Sequence, residues 1–193
     1  HQLLTQANKY LKPRIQSTMF MTMVMLRWEH TTREMFFTGA GHETIIHYKG
    51  SEQVLENVKC GGIALGMVPD NEKLIKEQKL PFQEGDLLVL YSDGIVEARN
   101  TEGEMFGAER LLSIVEKQAP KTTHAEELFQ RISTELTHFL GEHIQDDDMT
   151  LLVIKYGERV ATPETVEEKE TTQWEETEEG KEETVEESGL SAE

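Results

Sequence analysis

The 193-residue sequence predicts an α+β fold in which the helices are set apart from a largely antiparallel group of strands. Two observations carry this. Runs with strand character gather between residues 18 and 91, and two helical repeats follow before a last apolar run at 149–156. Strands and helices therefore do not alternate, which argues against a doubly wound parallel sheet.

Residues 3–11 place Leu3, Leu4, Ala7 and Leu11 at helical spacing, and Pro13, lacking a backbone donor, ends the helix. Residues 18–28 are apolar on both parities, the pattern of a strand buried on both faces. Within them the alternating Met19, Met21, Met23 and Met25 read as packing, not as a metal box. Residues 28–32 read as a turn. Residues 34–38 and 44–48 are short β-rich runs, and Gly39-Ala40-Gly41-His42 reads as a tight connection between neighbouring strands of a meander. Glycines break any period over 49–70, leaving mostly loop, with 54–58 able to pair. Residues 72–80 read as a strand stopped by Pro81, and 87–91 as a strand too continuously apolar to be half-exposed. Leu111, Leu112 and Val115 mark one helix; Ala125, Leu128, Phe129, Ile132, Leu136 and Phe139 mark a longer one. Thr123 with Glu126 has capping-box spacing at its start. Residues 149–156 return to strand.

The net charge is -18 and it is uneven: residues 157–193 hold fourteen Glu, no Asp and three basic residues. Such a segment repels itself and buries little, so 1–156 is expected to fold and 157–193 to remain a disordered acidic tail, with Trp174 as its one anchor for a partner. No basic footprint exists for nucleic acid. The single Cys60 forms no internal disulfide, which suits a reducing, cytoplasmic setting. No apolar run reaches membrane-spanning length, so no membrane contact by this chain is expected. The opening His1, directly in helix-like sequence, leads us to expect a fragment of a longer protein.

Two segments concentrate chemistry. In Tyr91-Ser92-Asp93-Gly94 a carboxylate leaves the end of a buried strand and a glycine lets the chain turn away. In Asp146-Asp147-Asp148 three like charges precede the last strand. If both strands are central and adjacent, Asp93 and Asp147 meet at one sheet end as hard oxygen donors for Mg or Mn. The other reading leaves the acids in solvent, capping a loop and a turn. His42 reads as a turn histidine bonded to backbone, His138 and His143 as helix-end histidines, and Cys60 as a buried thiol.

The run 91–100, Tyr-Ser-Asp-Gly-Ile-Val-Glu-Ala-Arg-Asn, followed by Gly103-Glu104-Met105-Phe106-Gly107 and Arg110-Leu111, resembles the Ser-Asp-Gly block of PPM-type bacterial protein serine/threonine phosphatases. The subgroup is the stage II sporulation protein E-like, or RsbU-like, one. Met19-Phe20-Met21-Thr22, Ala40-Gly41-His42, Gly61-Gly62-Ile63-Ala64-Leu65-Gly66, Glu84-Gly85-Asp86-Leu87-Leu88 and Asp147-Asp148-Met149-Thr150 agree with it in order. The resemblance implies a β-sandwich flanked by helices that holds two Mn2+ or Mg2+ ions, with hydrolysis by metal-activated water. By position it implies Asp93 and Asp147 as metal ligands, Gly94 and Asp148 as their supports, and a structural or substrate-side role for Gly41 and His42.

The family's upstream Gly-Asp block, whose carboxylate bridges the two metals, and a second block with Asp, Gly and His have no counterpart in this sequence. The resemblance thus implies a phosphatase domain incomplete at its N-terminus, with little activity alone. It further implies a phosphorylated signalling protein as substrate, such as an anti-sigma-factor antagonist, in bacterial sigma factor regulation. Sensory or membrane-anchoring modules would lie upstream. The competing reading is a non-catalytic interaction domain whose acidic tail binds a basic partner.

Overall fold

A computed structural model describes residues 1–157 of the protein. Its elements are α1 (Gln2–Leu11), β1 (Met23–Glu29), β2 (Glu34–Ala40), β3 (Thr44–Lys49), β4 (Val54–Lys59), β5 (Glu77–Leu80), β6 (Leu87–Tyr91), α2 (Asp93–Val96), α3 (Ala108–Gln118), a 3₁₀ turn (Ala119–Lys121), α4 (Ala125–Leu140) and β7 (Leu151–Lys155). The predicted disorder of the acidic tail lies outside the described residues.

Two antiparallel sheets form, ordered β1-β2-β5 and β4-β3-β6-β7. Alternation along β6 explains how they stack, since successive side chains of a strand point to opposite faces. Leu88 and Leu90 pack with Met35, Phe37, Ile45 and Leu80 between the sheets. Leu87, Val89 and Tyr91 point the other way, joining Leu111, Val115, Leu128 and Ile132 of α3 and α4. The continuous apolar run of β6 thus serves two cores at once. Leu4, Ala7 and Leu11 of α1 pack against Ala40, Leu65 and Ile75, and buried Asn8 holds the adjoining loop by accepting from Gly66 N–H (2.8 Å) and donating to Val68 O (3.1 Å).

The structure corrects five expectations. The first strand begins at Met23, not at residue 18, and is an edge strand. Only Val24 and Leu26 reach the inter-sheet core. On the opposite face Arg27 lies over the Phe36 ring and donates to both Glu77 carboxylate oxygens (3.1 and 3.0 Å), so that face is wet and charged. The methionine stripe is accordingly divided: Met23 packs, whereas Met19 and Met21 are exposed. Second, residues 39–42 do not join neighbours in one sheet. They carry the chain from β2 to β3, across from one sheet to the other. Third, β5 is four residues long, because 72–74 form a turn. Fourth, β7 is adjacent to β6 as expected but lies at a sheet edge. Fifth, Glu127, not Glu126, closes the α4 cap. Its carboxylate accepts from the Thr123 N–H and hydroxyl, both at 2.8 Å, because His124 is the N-cap and the third helical position falls at 127.

The sandwich end away from the start of β7 is locked by groups that the sequence did not advertise. His47 and Asp86 are 1% and 2% exposed. His47 donates through Nε2 to Asp86 Oδ2 (3.0 Å), while Gly50 and Gln83 N–H groups donate to the same carboxylate, both at 2.9 Å. Beside them Phe82 stacks on Tyr156, and Trp28 meets Tyr156 edge-on with centroids 5.2 Å apart.

Asp86→Ala leaves the buried His47 imidazole and two partly buried backbone N–H groups without their acceptor and is expected to cost about 3 to 5 kcal/mol in urea unfolding; a loss below about 1 kcal/mol would show that the carboxylate is dispensable. The Glu127 cap gives a pH signature. Its bonds to Thr123 hold the Glu127 carboxyl below the ordinary value of 4.5, so the charged form stabilises the fold. The melting-temperature advantage of the wild type over Glu127→Gln is therefore expected in full above pH 5 and to shrink as pH falls through and below 4.5.

Candidate active site

Asp93 and the 146–148 loop converge because β6 and β7 are paired in the register Leu87↔Lys155 to Tyr91↔Leu151. Continuing that ladder sets Ser92 opposite Thr150, and Ser92 N–H indeed donates to Thr150 O (3.0 Å). The Ser92 hydroxyl then fastens the corner, donating to Asp148 O (3.0 Å) and accepting from Thr150 N–H (2.9 Å). Sequence reasoning gave Ser92 no role; its place between a strand end and a helix start was the available signal.

Asp93 opens α2, a single helical turn that begins directly at the strand end. Gly94 makes the approach possible. A Cβ at this position would lie 2.4 Å from Asp148 O, closer than any side chain tolerates. The two aspartates share a local arrangement: Asp93 Oδ1 accepts the Gly94 N–H (3.0 Å) and Asp147 Oδ1 accepts the Asp148 N–H (2.7 Å). In each the second carboxylate oxygen has no hydrogen-bond partner among the described residues, and both side chains are exposed. Asp146 instead accepts from His143 Nε2 (3.1 Å). Asp148 contributes its carbonyl to the Ser92 clamp, a backbone role beyond the support expected of it.

A cavity of about 110 Å³ beside this corner is lined by Gly94, Glu97, Arg99, Met105, Asp147 and Met149, though not by Asp93. A wider groove of about 810 Å³ along α3, lined by residues such as Arg110, Lys117 and Glu135, holds none of the predicted site residues.

Gly41 and His42 sit on the crossover between the sheets. Gly41 adopts φ +69°, and a Cβ there would lie 2.6 Å from Ala64 N. His42 is half-buried and is not bonded to backbone as its turn position suggested; its Nδ1 lies 3.4 Å from the Thr22 hydroxyl. Cys60 is buried, and burial pushes its thiol up to about 11, which keeps it protonated and unreactive at neutral pH.

The donor type at this corner suits Mg or Mn, which prefer carboxylate oxygen. The donor number does not: among the described residues no group of three His, Cys, Asp or Glu side chains is placed to hold a metal ion. The corner offers two carboxylates with an open oxygen each, short of a complete set of ligands.

Comparison with known proteins agrees with the fold and the motifs. RsbU of Bacillus subtilis, a phosphoserine phosphatase, is 27% identical over 154 residues, covering 80% of this chain but 44% of RsbU. The chain therefore spans less than half of that relative. Among solved structures, the SiaA-PP2C domain of Pseudomonas aeruginosa superposes with a TM-score of 0.66 at 19% identity, covering 80% of this chain and 58% of that one. The phosphatase domain of SpoIIE from Bacillus subtilis, presoaked with Mn, gives 0.54 at 16% identity, covering 84% and 69%. At such identities these structures show the PP2C-type sandwich alone. The Stage II sporulation protein E (SpoIIE) family matches residues 1–157, and the chain belongs to it.

Proposed function

We propose that the complete protein is a metal-dependent serine/threonine protein phosphatase. Residues 1–156 are the C-terminal portion of its catalytic domain and 157–193 a separate acidic tail. The observation that carries this is the convergence of Asp93 and Asp147 on one sheet corner, each with a free carboxylate oxygen, in a chain of the SpoIIE family. The substrate class follows from the resemblance to RsbU, a phosphoserine phosphatase: phosphoserine or phosphothreonine on a signalling protein such as an anti-sigma-factor antagonist, in the cytoplasm.

In the complete domain Asp93 and Asp147 would ligate Mn2+ or Mg2+, which supply a water of lowered pKa and neutralise phosphate charge. Ser92 and Gly94 hold the two carboxylates at their separation; Asp148 anchors the clamp. The incomplete ligand set favours a second reading for this segment taken alone, a non-catalytic interaction domain.

The test is Mn titration of the full-length protein with a phosphoserine peptide. Asp93→Asn is expected to lower kcat/KM by at least about 10²-fold and to weaken Mn binding; undiminished turnover would remove Asp93 from the site. Gly94→Ala pushes the Asp148 backbone away and is expected to lower kcat on the order of 10²-fold, as a displacement near 1 Å does at a positioned site. Unchanged kcat would show that the two loops need not touch.

A further inference from the structure

A hairpin follows α2 and lines part of the small cavity beside the corner. Arg99 and Met105 pair across it as an antiparallel bridge, and Phe106 N–H donates to Ala98 O (2.8 Å). The Asn100 carboxamide oxygen accepts from the Glu102 and Glu104 N–H groups (3.0 and 2.9 Å). The hairpin is therefore held by its own bonds and keeps its shape without a ligand. Leu140 and Met149 add apolar lining, and both pack on the core beneath α3 and α4. Met105, also in the lining, is 48% exposed.

Against these apolar walls the cavity of about 110 Å³ carries four charged groups, Glu97, Arg99, Asp146 and Asp147. Three of them are engaged: Arg99 Nη1 donates to Gly103 O (2.8 Å), Asp146 accepts from His143 Nε2 (3.1 Å) and Asp147 accepts the Asp148 N–H (2.7 Å). Glu97 differs. Its N–H donates to Asp93 O (2.9 Å), which sets it one turn from the candidate ligand, yet its exposed carboxylate has neither a hydrogen bond nor an ion pair among the described residues. Even with Asp147 given to a cation, Glu97 and Asp146 outnumber Arg99. Apolar walls with an excess of negative charge suit a side chain that has an aliphatic stem and a cationic end. The wide groove along α3 is different on both counts, because its Arg110 and Lys117 are matched by Glu109 and Glu135 and it holds no residue of the corner.

We propose that this cavity takes the side chain of a lysine or arginine flanking the phosphoserine or phosphothreonine of the substrate, and that Glu97 selects it. The assignment rests on the phosphatase reading above. Gly94 and Asp147 belong both to the corner and to the cavity lining. A phosphorylated residue at the corner therefore leaves its chain neighbour, one Cα step of about 3.8 Å away, beside the cavity. The stem of that neighbour covers Met105, Leu140 and Met149, and its cationic end meets the Glu97 carboxylate.

The test uses full-length protein with Mn2+ and phosphoserine peptides that differ only in carrying lysine, norleucine or glutamate directly before or directly after the phosphoserine. The readout is the ratio of kcat/KM between two peptides on one protein, from which a general loss of folding or metal cancels. Lysine is expected to exceed norleucine by at least about tenfold at one of the two positions, with glutamate the poorest. Glu97→Gln is expected to bring the lysine-to-norleucine ratio below about threefold, and Glu97→Lys to place glutamate above lysine. Equal rates for lysine and norleucine at both positions would overturn the proposal, as would a lysine preference that Glu97→Gln leaves intact. A wild-type protein inert towards every peptide and towards p-nitrophenyl phosphate would instead overturn the phosphatase reading, and this proposal with it.

Discussion

Burial of β6 on both faces is the constraint on which the remaining architecture depends. Leu88 and Leu90 belong to the core between the sheets, and Leu87, Val89 and Tyr91 to the core beneath α3 and α4. A strand packed on both sides cannot slip by one residue without exchanging the two sets, so its register is strongly specified. The last residue of this strand is Tyr91, and the next two are the clamp serine and the candidate ligand. Asp93 is thereby placed by a strand whose every residue is buried, although its own side chain is exposed. Precision at a site comes from the element beneath it, and here a single exposed carboxylate inherits it from two hydrophobic cores.

The two ends of the sandwich treat charge in opposite ways. At the closed end, Asp86 is buried and its carboxylate is satisfied by His47 and two backbone N–H groups, with aromatic rings around it. Three hydrogen bonds to this carboxylate are made within the protein, which offsets the cost of burying it. At the other end, Asp93 and Asp147 each spend one oxygen on the following backbone N–H and leave the other open. A fold that can satisfy a buried aspartate so fully at one end leaves two exposed aspartates half-satisfied at the other, where the proposed site lies.

Much of this was legible in the sequence where one periodicity dominates. The limits of α4, the run of β6 and the pairing of the Asp93 and Asp147 segments follow from apolar spacing, and the Ser-Asp-Gly and Asp-Asp-Met-Thr motifs do meet at one sheet corner. What failed has physical causes. Met19, Phe20 and Met21 look like buried strand, but hydrophobicity does not report burial, and Phe20 is 60% exposed. The crossover at 39–42 looks like a hairpin because glycines that turn a chain within a sheet also turn it between sheets. His47 and Asp86 are 39 residues apart, and nothing local announces that they pair. Likewise Leu152 sits in an apolar run and is 48% exposed, because β7 closes a sheet edge.

The acidity of the open end constrains what can bind there. A phosphate dianion about 5 Å from one carboxylate meets a repulsion of roughly 6 to 7 kcal/mol at an effective dielectric of 20, and Asp93 and Asp147 together double it. Arg99, which lines the neighbouring cavity and gives one hydrogen bond to Gly103 O, supplies a single positive charge and leaves most of that repulsion standing. On the proposed phosphatase reading, a phosphorylated substrate at this corner would need cations on the open carboxylate oxygens to offset that repulsion. Under that proposal the same carboxylates would exclude substrate until metal is bound, and metal loading and substrate binding would be coupled by charge before any chemistry begins.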